Sequence, residues 1–316
     1  MLLFVAVTAM GYTSEARAEA RVPLGHVEVR GEGPVTMVLL SGATLDWRLW
    51  DSFMDRNKER YTMYALTLPG LAGSEAMPMP RLWRPKNTAE RQTPPRGTPW
   101  IDNAVDAVVD LMHERGLEGA VVMGHDLGGV IALRLATEHE ELVSTVISIE
   151  GSPAVPLHQG SIDKKHRAMY AYSTRCTNLH SMTDERWAET MGNWSRNNTL
   201  TEEDAEFIES IGASSDKETV IRYMVEQTAT DITKQMDDLK QPTLAIYSSL
   251  SEARMRVIND KKRKLFGSAW HAEVRMPPYE EIGFLYPIKL PERFDAEIGE
   301  YLDTQGLTDE EPKKGH

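Results

Sequence analysis

From His26 onward, short apolar runs alternate with longer stretches whose apolar residues recur every three or four positions, a pattern that predicts a mostly parallel sheet covered by helices. His26 to Arg30 and Val35 to Leu40 read as an opening pair of strands around the Gly31-Glu32-Gly33-Pro34 turn, and Tyr61 to Leu68 as a third strand closing on Pro69-Gly70. Further strands are predicted at Ala120 to Met123, Val143 to Ile149, Thr243 to Tyr247 and His271 to Met276. Helices are predicted over Trp47 to Arg60, Trp100 to Arg115, Leu127 to His139 and Glu292 to Leu302, all with the 3.6-residue period.

Two segments break the alternation. Met77 to Pro99 holds Pro78, Pro80, Pro85, Pro94, Pro95 and Pro99 around Trp83, which predicts an extended irregular loop. Pro153 to Lys240 contains several helical patterns between two strands and reads as an inserted cap, with Met169, Met182, Met191, Met224, Trp187 and Trp194 as its core. The expected organisation is a core of residues 21–152 and 241–306, a helical cap at 153–240 and a polar, frayed tail at 307–316. Residues 1–20 combine the apolar run Leu2 to Val7 with the small-x-small sites Ala16-Arg17-Ala18 and Ala18-Glu19-Ala20, which reads as a signal peptide without its usual leading Lys or Arg. A secreted or periplasmic location is expected on that reading, a cytoplasmic one otherwise.

Composition narrows the classes. A chain of 316 residues that is 41% hydrophobic and 26% charged is neither disordered, collagenous nor a coiled coil. The net charge of −13 argues against nucleic acid or an anionic membrane surface as a partner. Cys176 is the sole cysteine, which excludes an intramolecular disulfide and a cysteine-based zinc site. No apolar stretch beyond the N-terminal one approaches the ~18 to 20 residues of a bilayer span. A small-molecule substrate or ligand is the expected partner, and no motif calls for a cofactor or metal.

The sharpest signal is Val121-Val122-Met123-Gly124-His125-Asp126-Leu127-Gly128-Gly129-Val130, an apolar strand that enters a Gly-x-Asp-x-Gly-Gly turn and then a helix. Glycines at 124 and 128 allow a tight strand-to-helix turn that presents residue 126 at the helix start. There the Leu127 N–H and the positive end of the helix suit a developing oxyanion, with Ala43, in the Ser41-Gly42-Ala43-Thr44 loop, as the second donor. An ionised Asp126 would be a nucleophile needing no base for the first attack, whereas hydrolysis of the resulting ester needs an activated water.

These features resemble the α/β-hydrolase superfamily. The likeness covers nearly the whole chain after the signal and includes Leu68-Pro69-Gly70-Leu71-Ala72-Gly73-Ser74, the elbow, the cap and Pro242-Thr243-Leu244-Ala245-Ile246-Tyr247. It implies an α/β-hydrolase fold, with a mostly parallel twisted sheet and helices on both faces. Members with Asp in the elbow look like haloalkane dehalogenases and epoxide hydrolases; serine members are esterases, lactonases and peptidases.

The chain departs from that pattern at several positions. The resemblance implies a histidine seven residues before the Pro that opens the final helix; counting back from Pro291 reaches Phe284. His271 falls at the start of the last strand, at the sheet end remote from the elbow, and His125 is expected to turn inward beneath the turn. The acid is either Glu150, at the end of its strand, or the offset Glu252. Leu127 and Ala43 stand where dehalogenases hold halide, Ser41 where the loop often has His, and Tyr170, Tyr172 and Tyr223 are the cap tyrosines on which an epoxide hydrolase would draw. Three readings stay open. The chain is a hydrolase of a small apolar ester, epoxide or halide through Asp126, with an unassigned base such as Glu150, Glu280 or Glu281; a catalytically silent binding protein on the same fold; or a serine-hydrolase lineage in which Asp126 replaces serine.

Overall fold

A computed structural model describes residues 21–78, 97–155, 164–248, 272–275 and 283–307. Its strands are β1 (His26–Arg30), β2 (Val35–Leu40), β3 (Tyr61–Thr67), β4 (Ala120–His125), β5 (Val143–Ile149), β6 (Thr243–Ile246) and β7 (Ala272–Arg275). They form one seven-stranded sheet in the order β1-β3-β2-β4-β5-β6-β7, parallel throughout except for β1.

β1 and β2 are therefore not partners, contrary to their reading as an opening pair. The Gly31–Pro34 turn is laid against the start of β3: Glu32 N–H donates to the Lys58 carbonyl at 3.1 Å and the Thr62 hydroxyl to the Gly33 carbonyl at 2.8 Å. A Cβ at Gly31, where φ is +93°, would sit 2.0 Å from the Tyr61 carbonyl oxygen. β1 is thereby turned to the far side of β3, where it pairs antiparallel, His26 opposite Thr67.

Alternation along the strands feeds two cores. Val38, Leu40, Leu66 and Val122 face α2 (Pro99–Arg115) and α3 (Leu127–Glu138), whereas Met37, Leu39, Met63 and Met123 face α1 (Asp51–Asn57) and α10 (Pro291–Thr304). The helix expected over Trp47 to Arg60 is split: Asp46 accepts the Arg48 N–H and starts a 3₁₀ turn at Trp47–Trp50, and α1 begins only at Asp51.

Between β5 and β6 the described chain is helical: α4 (Lys164–Tyr170), a π-helical turn (Ala171–Arg175), α5 (Cys176–His180), α6 (Asp184–Asn198), α7 (Glu202–Ala213), α8 (Lys217–Ala229) and a 3₁₀ turn at Gln235–Asp238. Thr183, Thr201 and Asp216 each accept an N–H three residues on, which sets the starts of α6, α7 and α8. α8 ties this insertion to the core. The Tyr223 hydroxyl donates to the Pro69 carbonyl at 2.8 Å, and the buried Glu226 carboxylate accepts the N–H groups of Trp100 and Ile101 at the start of α2 as well as the Arg222 guanidinium at 2.7 Å. Among the methionines expected in the insertion's core, Met169 is instead 47% exposed. α9 (Tyr286–Lys289) precedes α10. The expected signal at 1–20, residues 79–96 of the expected Met77–Pro99 loop and residues 308–316 of the expected tail at 307–316 lie outside the described chain, and Pro99, placed in the loop, instead opens α2.

Candidate active site

β4 ends at His125 and α3 begins at Leu127, so Asp126 alone makes the turn between them. Its φ of 52° and ψ of −113° match the first central residue of a type II′ turn, a place glycine ordinarily takes. The neighbours are glycines because nothing larger fits: a Cβ at Gly124 would meet the Gly128 carbonyl oxygen at 2.1 Å, and one at Gly128 the Leu40 carbonyl oxygen at 2.2 Å. Asp126 is half-buried, at the carboxyl ends of β2, β4 and β5, where open α/β sheets bind ligands.

The loop after β2 lies alongside. A Cβ on Gly42 would come within 3.1 Å of both Asp126 Cβ and Oδ2, so the backbone passes close to the carboxylate. The Ser41 hydroxyl donates to the Asp46 carbonyl at 2.6 Å and holds this loop closed. Ala43 and Leu127 are both buried beside the elbow, the first in the loop and the second at the head of α3. The other carboxylate oxygen, Oδ1, accepts the side-chain amide of Gln227 at 2.6 Å. Gln227 projects from α8, and its role was not visible in the sequence because the helical period of α8 reports packing only.

Phe284, seven residues before Pro291, packs beneath the elbow. Its ring meets that of His125 edge-on at 4.8 Å and that of Trp194 at 5.8 Å. Nε2 of His125 donates to the Phe284 carbonyl at 2.9 Å, which makes Nδ1 the lone-pair nitrogen, and Nδ1 is sealed from solvent without a hydrogen-bond partner. Burial pushes the imidazole pKa down, against the opposing pull of the Asp126 charge and of the Phe284 bond, so the ring is neutral near pH 7. The inward placement expected of His125 is observed; full hydrogen-bond satisfaction is not.

Glu150 follows β5 with φ of 57°, donates its N–H to the Ile246 carbonyl at 2.8 Å and accepts the Ser248 N–H through its carboxylate. It ties the ends of β5 and β6 together at the elbow's end of the sheet. The alternative acid Glu252, the bases Glu280 and Glu281, and His271 lie outside the described residues. Tyr223 is buried with its hydroxyl engaged and its pKa raised by desolvation, which removes it as a proton donor to substrate. Cys176 is buried too, its thiol pushed up to about 11 by desolvation. Among the described residues no group of three or more His, Cys, Asp or Glu side chains could hold a metal, and no helix is long and apolar enough to cross a membrane.

The comparisons with known proteins agree with this architecture. A pimeloyl-[acyl-carrier protein] methyl ester esterase of Proteus mirabilis is 24% identical over 157 residues, 50% of this chain and 52% of that protein, so the chain spans about half the length of that relative. The protein of the same name from Photorhabdus laumondii is 24% identical over 267 residues, covering 80% of this chain and 92% of the relative. Among solved structures, MenH from S. aureus superposes with a TM-score of 0.66 at 16% identity, over 89% of this chain and 99% of that one. The enol-lactonase from Burkholderia xenovorans gives 0.64 at 15% identity, over 88% and 96%. The sequence pattern of the alpha/beta hydrolase family matches residues 37–253, more than half of the chain and the stretch from within β2 through β6 that holds the elbow and the helical insertion, and the protein belongs to that family.

Proposed function

We propose that the protein is an esterase-like hydrolase that cleaves a small carboxylic ester held between the elbow and the helical insertion, with Asp126 supplying the attacking oxygen. The observation that carries this reading is the backbone of Asp126. A non-glycine residue in that conformation costs on the order of 1–3 kcal/mol, and its side chain is presented at the head of α3. Oδ1 is oriented by Gln227, which leaves Oδ2, beside the Gly42 loop, to attack the ester carbonyl carbon. The carbonyl oxygen takes up the negative charge facing the Leu127 and Ala43 N–H groups, the alcohol leaves with a proton from water, and a second water opens the acyl-aspartyl anhydride. The similarity to methyl ester esterases favours esters over the epoxide and halide substrates that an aspartate elbow also brings to mind.

A second reading has its own observation. The Phe284 carbonyl is taken by His125, and on the resemblance Phe284 stands where a histidine is implied, which fits a silent binding protein or a serine lineage that has lost its nucleophile. One experiment separates the readings: intact-protein mass and product release from a panel of short methyl and aryl esters, epoxides and haloalkanes, for wild type and Asp126→Ala. Ester cleavage lost in the variant supports the hydrolase. An adduct on Asp126 without product marks a nucleophile stranded before hydrolysis. Neither adduct nor product leaves the binding protein.

A further inference from the structure

At the end of α8 the polar side chains around Gln227 are occupied within the fold. The Thr228 and Thr230 hydroxyls donate to the Met224 and Glu226 carbonyls of their own chain at 2.8 and 2.9 Å, and the Glu226 carboxylate holds the start of α2. Gln227 instead reaches the elbow, where its side-chain amide lies 2.6 Å from Asp126 Oδ1. An ionised carboxylate only accepts, so the atom that faces Asp126 is the donor Nε2, and the planar amide turns its acceptor Oε1 aside. Oε1 accepts no hydrogen bond among the described residues, and the side chain is half-buried, not sealed. The helix beneath it is fixed by Tyr223 on the Pro69 carbonyl at 2.8 Å and by Glu226 on the Trp100 and Ile101 N–H groups at 2.9 and 3.0 Å. Oε1 is therefore a preorganised acceptor one side chain away from the attacking group. A substrate seated on Asp126 displaces water from it, so a substrate that carries no donor leaves that oxygen unpaired, and one that carries a donor does not.

We propose that Gln227 sets substrate specificity: Nε2 orients Asp126 while Oε1 accepts a hydrogen bond from a hydroxyl on the carbon next to the scissile carbonyl, which makes the substrate a 2-hydroxy ester. With the carbonyl carbon at Oδ2 and its oxygen toward the Leu127 and Ala43 N–H groups, the first acyl position that can turn to Gln227 is that carbon. This rests on the esterase reading for the position of the scissile bond, but recognition of the hydroxyl is measured without hydrolysis.

The test uses the full chain as wild type, Gln227→Met and Gln227→Asn, in two measurements. In the first, calorimetry compares the binding of neutral amides in pairs, lactamide with propionamide and mandelamide with phenylacetamide. The hydroxy member of at least one pair should bind wild type about three- to tenfold more tightly, the worth of one neutral hydrogen bond. Gln227→Met, which keeps the length of the side chain and loses both polar atoms, should bind the two members alike. Gln227→Asn, whose shorter amide cannot serve both partners, should lose the preference as well, so the outcome does not hang on one variant. In the second, hydrolysis of methyl lactate and methyl mandelate is compared with that of methyl propionate and methyl phenylacetate. Loss of the orienting bond lowers kcat for every ester, so the readout is the ratio of kcat/KM for the hydroxy ester to that for its deoxy partner. That ratio should be about threefold or more in wild type and near one in Gln227→Met. A ratio unchanged in the variant would show a purely orienting role and overturns the inference. So does wild type that binds no amide, that shows no preference in either measurement, or whose preference survives in Gln227→Met. A preference among amides that follows Gln227, with no ester hydrolysed, overturns the esterase reading alone.

Discussion

Asp126→Gly and Asp126→Ala form a pair that isolates the backbone strain of the elbow from its chemistry. Both variants delete the carboxylate and with it the 2.6 Å bond from Gln227, whose half-buried amide is left to water in either case. They differ only in the Cβ. At φ 52° and ψ −113° a Cβ costs about 1–3 kcal/mol, whereas glycine loses about 0.5–1 kcal/mol more than alanine in backbone entropy on folding. The difference leaves Asp126→Gly more stable than Asp126→Ala by about 1 kcal/mol, the reverse of the order in ordinary helix or strand. For a domain of 150–250 residues a change of that size moves Tm by roughly 2–4 °C, a little less in this longer chain. Thermal and urea melts of the two variants, with equal m-values required, measure it. Asp126→Ala equal to or more stable than Asp126→Gly would show that the elbow is not strained and would remove the observation on which the proposed function rests.

Other substitutions test the frame around the site. Gly124→Ala puts a Cβ 2.1 Å from a main-chain oxygen and should cost about 3 kcal/mol or more, whereas Gly73→Ala, with φ +73° but nothing within 4 Å, should cost only about 1–2 kcal/mol; denaturant midpoints of the two decide. Tyr223→Phe should cost about 1 kcal/mol through the lost bond to the Pro69 carbonyl, read in the same melts. Glu226→Ala strands the buried Arg222 and should cost about 3–5 kcal/mol. Burial raises Glu226 to about 7 against the pull of Arg222 and the two N–H groups, so between 4.5 and about 7 the folded protein binds more protons than the unfolded chain and this group's contribution falls as pH rises. His125 acts the other way, since burial lowers its pKa and stability is lost as pH drops below about 6.5. The readout is therefore the pH dependence of wild-type stability minus that of Glu226→Gln; a difference that is flat or rises from pH 5 to 8 contradicts the assignment.

What could be read from the chain and what could not divide along the range of the interactions. The elbow was legible because its constraints are local: Gly124 and Gly128 lie two residues either side of Asp126 and exist to admit its turn. The strands were legible from their apolar runs. The pairing of β1 with β3 was not, because it is decided by how the Gly31–Pro34 turn packs on residues 58–62, which no periodicity encodes. Gln227 reaches Asp126 across 101 positions, from a helix whose pattern of Val220, Ile221, Tyr223 and Val225 announces burial and nothing else.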